Sequence, residues 1–307
     1  MADEYKKLEA KDNFQKARLK ASFNRMLGIL WPQRQELLSF EEVKSLLQPK
    51  GQAYKGMMVV PLKLIVGSEG RYHDFNKQFL PRSDRLERRW TSIDEAHLSD
   101  VTLPPIKLFE LGGVYFVRDG NHRVSVARSN GADSIDAEVV SLDATIPINP
   151  SMSIEELSKA VIFWERSHFL DITHLDTVLP DASIHFTSTG QYDEVLSHIY
   201  VHKYFINQEY EEELPLADAI RSWYETVYEP IVRMVREDAL LSRFPGRTEA
   251  DLYVWIVKHW HYLKERYGKN VSPREAASSY AQLYGKGWTE RFRDKLAKFF
   301  KRIRRQR

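Results

Sequence analysis

The sequence predicts an α+β protein, an α/β domain followed by a mostly helical one. Three observations carry this. Val114-Tyr-Phe-Val117 is a β-branched and aromatic run that enters a helical pattern through Asp119-Gly120-Asn121-His122-Arg123, as a strand turning into a helix does. Ile106–Leu111 stands before that run across Gly112-Gly113, whose flexibility suits a two-residue hairpin turn. From Ser153 onward the apolar residues recur at helical spacing, with capping residues ahead of them.

Residues 1–50 alternate charges with Phe14, Leu19, Phe23, Leu27, Leu30 and Leu37 at helical spacing. They read as two helices broken at Trp31-Pro32, an N-terminal arm packed on the body, with a partner-binding helix as the alternative. Residues 57–67 read as a strand ending at Gly67, and 68–100 as a charged, insertion-like segment. After the hairpin, a helix over 121–130 ends before Asn130-Gly131, and the strand Ile135–Val140 completes the α/β unit. Ser153 and Glu156 form a capping-box pattern ahead of Leu157, Val161, Ile162 and Trp164. Further amphipathic helices are expected over 189–206, 214–237, 248–267 and 273–284. Pro215 and Pro273 suit first-turn positions, and Thr248 and Ser272 are good N-caps. No internal repeat or low-complexity linker interrupts the chain. The expected organisation is an arm over 1–50, an α/β domain over 51–145, a helical domain over 146–288 and a basic amphipathic tail over 289–307.

Composition narrows the function classes. With 307 residues, 43% hydrophobic and 12% aromatic, the chain can build a real core, which excludes global disorder. There is no cationic leader ahead of an apolar run and no apolar stretch long enough to cross a bilayer, so a cytoplasmic protein is expected. Zero cysteines exclude disulfides, thiolate metal sites and cysteine nucleophiles. The net charge of +2 hides an asymmetry: residues 291–307 hold nine Lys or Arg against Asp294 alone, so the rest of the chain is mildly acidic. Within that tail Lys298, Lys301, Arg302, Arg304 and Arg305 surround Phe292, Leu296, Phe299, Phe300 and Ile303 at helical spacing. Such a helix suits nucleic acid, an acidic protein or an anionic membrane surface; docking on the acidic body is the plainer reading.

The Asp119–Arg123 turn is the strongest candidate site. It places backbone N–H groups, an imidazole and a guanidinium at the positive end of a helix, which suits a phosphate or carboxylate. The amides of Gly120–His122 and the fork of Arg123 would hold the anion, and Asp119 would orient His122 or Arg123, or hold a metal beside the phosphate. The plainer reading is a turn whose Asp caps the helix and whose Arg pairs at the surface. His198 and His202 lie four apart on a helix, but Ile199 stands where a zincin has Glu, so no metal site is expected. Phe244-Pro-Gly-Arg247-Thr248 reads as a rigid turn from which Arg247 could reach a ligand. The aromatic residues Tyr253, Trp255, Trp260, Tyr262 and Tyr267 spread over several helix faces, which points to burial.

The apolar strand, the Asp-Gly-x-His-Arg turn at 119–123 and the helix with Ala127 four residues after Arg123 resemble the ParB/sulfiredoxin superfamily. Val59-Val-Pro-Leu-Lys-Leu-Ile65 is similar to that family's opening strand, and the resemblance spans roughly residues 57–145. Phe244–Tyr253 resembles the tail of bacterial ParB-like-domain proteins of unknown function. Sulfiredoxins carry a Cys where Asn121 stands, so sulfiredoxin chemistry is excluded. The resemblance implies that Gly120, Asn121, His122 and Arg123 contact nucleotide phosphates. It also implies that Arg71 takes the place of the arginine that faces the nucleotide in ParB proteins. In phosphotransferase relatives an acidic base stands in that region, for which Glu69 and Asp74 are the candidates. Arg82, Arg85, Arg88 and Arg89 would add positive potential or form an exposed helix surface. Trp164-Glu-Arg-Ser-His168 stands where ParB proteins have a third nucleotide-contacting segment, but lacks its Asn and Gln; a helix end with exposed charges is expected. The functional expectation is a ligand-switched, nucleic-acid-associated regulator binding CTP or ATP/ADP with Mg2+, its tail directed to DNA or an acidic protein. The alternatives are a small-molecule phosphotransferase or NTPase, a partner-binding protein with an inactive site, and a nuclease. The last lacks a compact carboxylate cluster for two-metal cleavage. Turnover and oligomeric state stay open.

Overall fold

The computed structural model describes residues 2–27, 36–208, 212–268 and 271–285. The chain divides into two compact units, Met1–Val161 and Ile162–Arg307. The first is built on one mixed sheet. Its strands are Leu38–Ser39 (β1), Gln52–Pro61 (β2), Ile65–Ser68 (β3), Ile106–Leu111 (β4), Val114–Asp119 (β5) and Ser134–Leu142 (β6), in the order β1-β3-β5-β4-β6-β2. The fold is thus the α+β arrangement expected, a mixed sheet with helices and then a helical region. The hairpin forms as read, Leu111 facing Val114 across Gly112 and Gly113, both at positive φ. β5 runs parallel to β3, with Val117 beside Ser68, so both strands end at the same rim of the sheet.

The stretch read as a single strand from 57 to 67 is two strands. Pro61 caps a 3-10 turn, Leu62–Leu64, which ends β2 on β6 and starts β3 beside β5 at the opposite side of the sheet. Proline has no N–H to give a ladder, which suits Pro61 to the last position of an edge strand and to the start of a turn. β2 is an edge strand whose Tyr54, Met57 and Val59 are exposed.

Helices α1 (Ala2–Leu27), α2 (Phe40–Leu47), α3 (Glu87–Leu98) and α4 (Asn121–Ser129) accompany the sheet. The N-terminal helix packs on α3, yet through Ala10, Phe14, Ala17 and Ala21, whereas Leu19 and Phe23 are exposed. Small residues let two helices approach, and Phe14 then meets Trp90 edge-on at 5.6 Å. Asn13 and Asn130 both donate to the buried Asp94 carboxylate, at 3.0 and 2.8 Å. The expected break at Trp31-Pro32 lies outside the described residues. The segment read as a charged insertion contains α3, whose Trp90, Thr91 and Asp94 are buried behind its exposed arginines.

The second unit is helical, as expected. The chain enters it within α5 (Ile154–Thr173) and continues through α6 (Leu175–Val178), α7 (Gln191–Asn207), α8 (Leu216–Trp223), a π turn at Tyr224–Tyr228, α9 (Glu229–Glu237), α10 (Glu249–Tyr267) and α11 (Pro273–Tyr284). Capping boxes form at Thr248 and Ser272, and Ser153 exchanges the same pair of bonds with Glu156. Trp223, Tyr228 and Tyr253 centre the core, with Trp223 Nε1 donating to Tyr253 Oη at 3.1 Å. Trp164–His168 lies inside α5 and is not a helix end. Its Glu165 is buried, and both carboxylate oxygens accept from Gly190 N–H at the start of α7. Burial raises the Glu165 pKa to about 7, against the pull of that N–H, and Asp193 adds to the rise. Among the described residues no helix is long and apolar enough to cross a membrane.

In the first unit, Arg128 at the end of α4 donates to Leu62 O, to Ile65 O at 2.7 Å and to Lys77 O at 3.2 Å, and lies over the Phe79 ring. Arg128→Met keeps the volume but leaves three carbonyls without a donor. It is expected to lower the unfolding free energy by about 3 kcal/mol, read from urea denaturation.

Candidate functional site

The site follows from the parallel pairing of β3 and β5. Loops leaving the carboxyl ends of neighbouring parallel strands form a crevice, the common position for a ligand in such sheets. Ser68 fastens the two ends together. It is fully buried, donates from Oγ to Val117 O at 3.2 Å, and accepts from Arg71 N–H at 3.3 Å. Glu69 N–H also donates to Val117 O, at 3.0 Å. Arg71 therefore emerges beside Arg118 and the 119–123 turn.

Gly120 makes the turn possible. Its φ is +108°, and a Cβ there would lie 2.8 Å from Ile106 Cβ. The first helical hydrogen bond of α4 runs from Val124 N–H to Gly120 O at 3.0 Å, and no side chain caps the helix. The amides of Asn121, His122 and Arg123 thus have no helical acceptor. Asp119 does not cap α4; it accepts from Arg123 Nη2 at 2.5 Å. Arg123 Nη1 donates to Pro104 O and to Pro105 O at 3.0 Å. This is the plainer expectation for the Arg123 side chain: most of its fork is committed to holding the turn.

A cleft of about 380 Å³ opens over the turn. Residues 118–123 line it with Gly70, Arg71, Arg89 and Ile93. Trp90 sets the position of α3, and so of Arg89, by donating from Nε1 to Ser125 Oγ of α4 at 2.9 Å. Arg89 and Arg118 make no hydrogen bond or ion pair among the described residues; Arg118 lies over the Phe109 ring at 5.5 Å. Arg71 donates to Asp74 Oδ2 at 3.2 Å, both side chains being about half exposed. Two buried polar atoms of the cleft residues lack a partner, Asn121 Oδ1 and His122 Nδ1, on residues only 7% and 5% exposed. His122 packs edge-on against Phe75 at 5.4 Å. Burial lowers its pKa from 6.5 to about 4, the Arg71 and Arg89 charges add to the fall, and Asp74 opposes it. The imidazole is neutral at pH 7.

The expected residues Arg71 and Asp119–Arg123 are therefore brought together in one cleft. Glu69 and Asp74 do not line it; Asp74 is paired with Arg71, which does. The expected basic residues Lys298, Lys301, Arg302, Arg304 and Arg305 lie outside the described residues. Arg118 and Ser68 were missed by sequence reasoning. Arg118 had a signal, since it is the residue at the open end of β5 directly before the turn. Elsewhere, His198 Nδ1 lies 3.1 Å from Tyr253 Oη and His202 Nε2 lies 2.9 Å from Ser222 Oγ. Arg247 donates to Thr187 Oγ1 and Ser188 Oγ at 2.8 and 2.9 Å. In α10 Tyr253 is buried, whereas Tyr262 and Tyr267 are exposed, so burial accounts for only part of that aromatic series.

A family model described as a domain of unknown function, DUF4032, matches residues 191–284, within the helical unit. The solved structure of a Pnob8-like ParB-N domain in its C2221 form aligns over 81% of this chain and 98% of that one, with 9% identity and a TM-score of 0.20. No curated protein matches. The fold described above rests on the sheet order and the helices themselves.

Gly120→Ala is expected to destabilise the protein by about 2 kcal/mol in urea denaturation, from strain at positive φ and the clash with Ile106. A second expectation concerns pH. Between about pH 4 and 6.5 an unfolded His122 binds a proton that the folded one refuses, so stability falls as pH drops through that window. Denaturation midpoints of His122→Gln should lose that part of the slope.

Proposed function

We propose that the chain binds a nucleotide or another phosphorylated ligand in the cleft over the Asp119–Arg123 turn. The observation that carries this reading is the meeting of two unpaired arginines, Arg89 and Arg118, with three unpaired amides at the start of α4. An anion fits both, since the helix start is positive and guanidinium donors match phosphate oxygens. Asn121 and His122, whose side chains carry unpartnered buried atoms, line the same cleft. Arg71 adds a third guanidinium once a ligand competes with Asp74 for it. Arg123 acts as the brace of the turn, with its backbone N–H toward the ligand.

Binding is favoured over turnover by the placement of the carboxylates. Asp119 is held by Arg123 and Asp74 by Arg71, and neither Asp74 nor Glu69 lines the cleft. A general base must reach the proton it takes, and magnesium beside the phosphates wants an oxygen ligand. The nucleic-acid part of the reading rests on the basic sequence of residues 291–307, with DNA or an acidic protein as the partner that the bound ligand would switch.

The test is a thermal-shift panel of ATP, ADP, CTP and GTP, with and without Mg2+, on the full chain and on Arg89→Ala and Arg118→Ala. A ligand at a hundredfold excess over its dissociation constant should stabilise the protein by about 2.7 kcal/mol, and each variant should lose most of that. Absence of any shift with the full chain would sink the reading.

A further inference from the structure

Resting on the phosphate-site reading, we infer that the cleft recognises its ligand by the phosphate chain alone and reads no base, so that nucleotides and inorganic triphosphate are equivalent ligands. The side chains that line the cleft carry this. Reading a base requires fixed donors and acceptors at its edge, or a shaped slot between flat apolar groups. The charged side chains here are Arg71, Arg89, Arg118, Arg123 and Asp119, and the apolar one is Ile93. Arg123 is committed to Asp119 Oδ2 and to the carbonyls of Pro104 and Pro105, and the Asp119 carboxylate, although exposed, is neutralised by that pairing.

The remaining polar side chains are no better placed to read a base. Asn121 Oδ1 and His122 Nδ1 are unpartnered, but both atoms are buried, out of reach of a base edge. Apart from the buried His122 imidazole, no aromatic ring lines the cleft among the described residues. Tyr72 and His73, next to Arg71, lie against each other at 4.1 Å with their rings tilted by 46°, and Tyr72 is packed on the core. A guanidinium can lie against a base, as Arg118 already does on Phe109, but it stacks on every base alike.

The two unpaired arginines and the helix start supply charge for a polyanion, and an uncharged group gains none of that attraction.

The experiment is isothermal titration calorimetry on the full chain in magnesium-free buffer at low salt, with ATP, CTP, GTP, inorganic triphosphate and adenosine. The expected result is that no nucleotide exceeds another, or inorganic triphosphate, by more than about fivefold in affinity, and that adenosine does not bind. Arg89→Ala should weaken all the phosphate ligands by a similar factor. One nucleotide binding more than about fivefold tighter than inorganic triphosphate or than the other nucleotides would overturn the inference while leaving the phosphate site intact. Failure of all of them to bind would remove the phosphate site itself, and this inference with it.

Discussion

Arg128 stands where four segments of the first unit meet. It belongs to the last turn of α4, and its guanidinium reaches the 3-10 turn after β2, the start of β3 and the loop that leads to α3. Burial lowers its pKa to about 10, which leaves it charged at neutral pH and dependent on those carbonyls for the water it has lost. One end of α4 is thereby fixed relative to β3. The other end is fixed by Gly120, which lies against Ile106, and by the brace of Arg123 on Pro104, Pro105 and Asp119. The positive end of the helix cannot drift from the loop that carries Arg71. The cleft is a consequence of how the helix is clamped.

The same clamp explains why cations tolerate one another there. Arg71, Arg89, Arg118 and Arg123 gather near a helix start that is itself positive, and this is unfavourable unless something offsets it. Two of the four are paired with carboxylates, and His122 relieves the rest by staying neutral. What is left unrelieved, Arg89 and Arg118, is the charge a ligand would answer. Stability and binding are in tension at this point, as is common where a site is built from like charges.

Much of the first unit could be read from local pattern. The glycine pair at 112–113 and the Asp-Gly step at 119–120 mark turns that few other residues make, so the hairpin and α4 were legible. Val59–Ile65 was not, because the apolar residues of a 3-10 turn look like those of a strand, and only Pro61 separates them. α1 misled for a related reason. Its large apolar residues Leu19 and Phe23 suggest a buried stripe, but the face that α3 accepts is the alanine one, and the size a neighbour allows is a tertiary fact. Trp90 was hidden by the arginines around it. Of the site, the turn and Arg71 were visible as residues, whereas the hydroxyl bridge of Ser68 and the freedom of Arg118 exist only once β3 and β5 lie side by side.

The unsupported amides at the start of α4 are held in a frame that has already lost its conformational freedom during folding. A ligand arriving there meets a finished surface, and little of its binding energy is diverted into ordering the chain. Association with such a surface is a matter of encounter, set by the field of the arginines and by the ions that screen it. A few tens of millimolar salt would then govern occupancy more sensitively than temperature does.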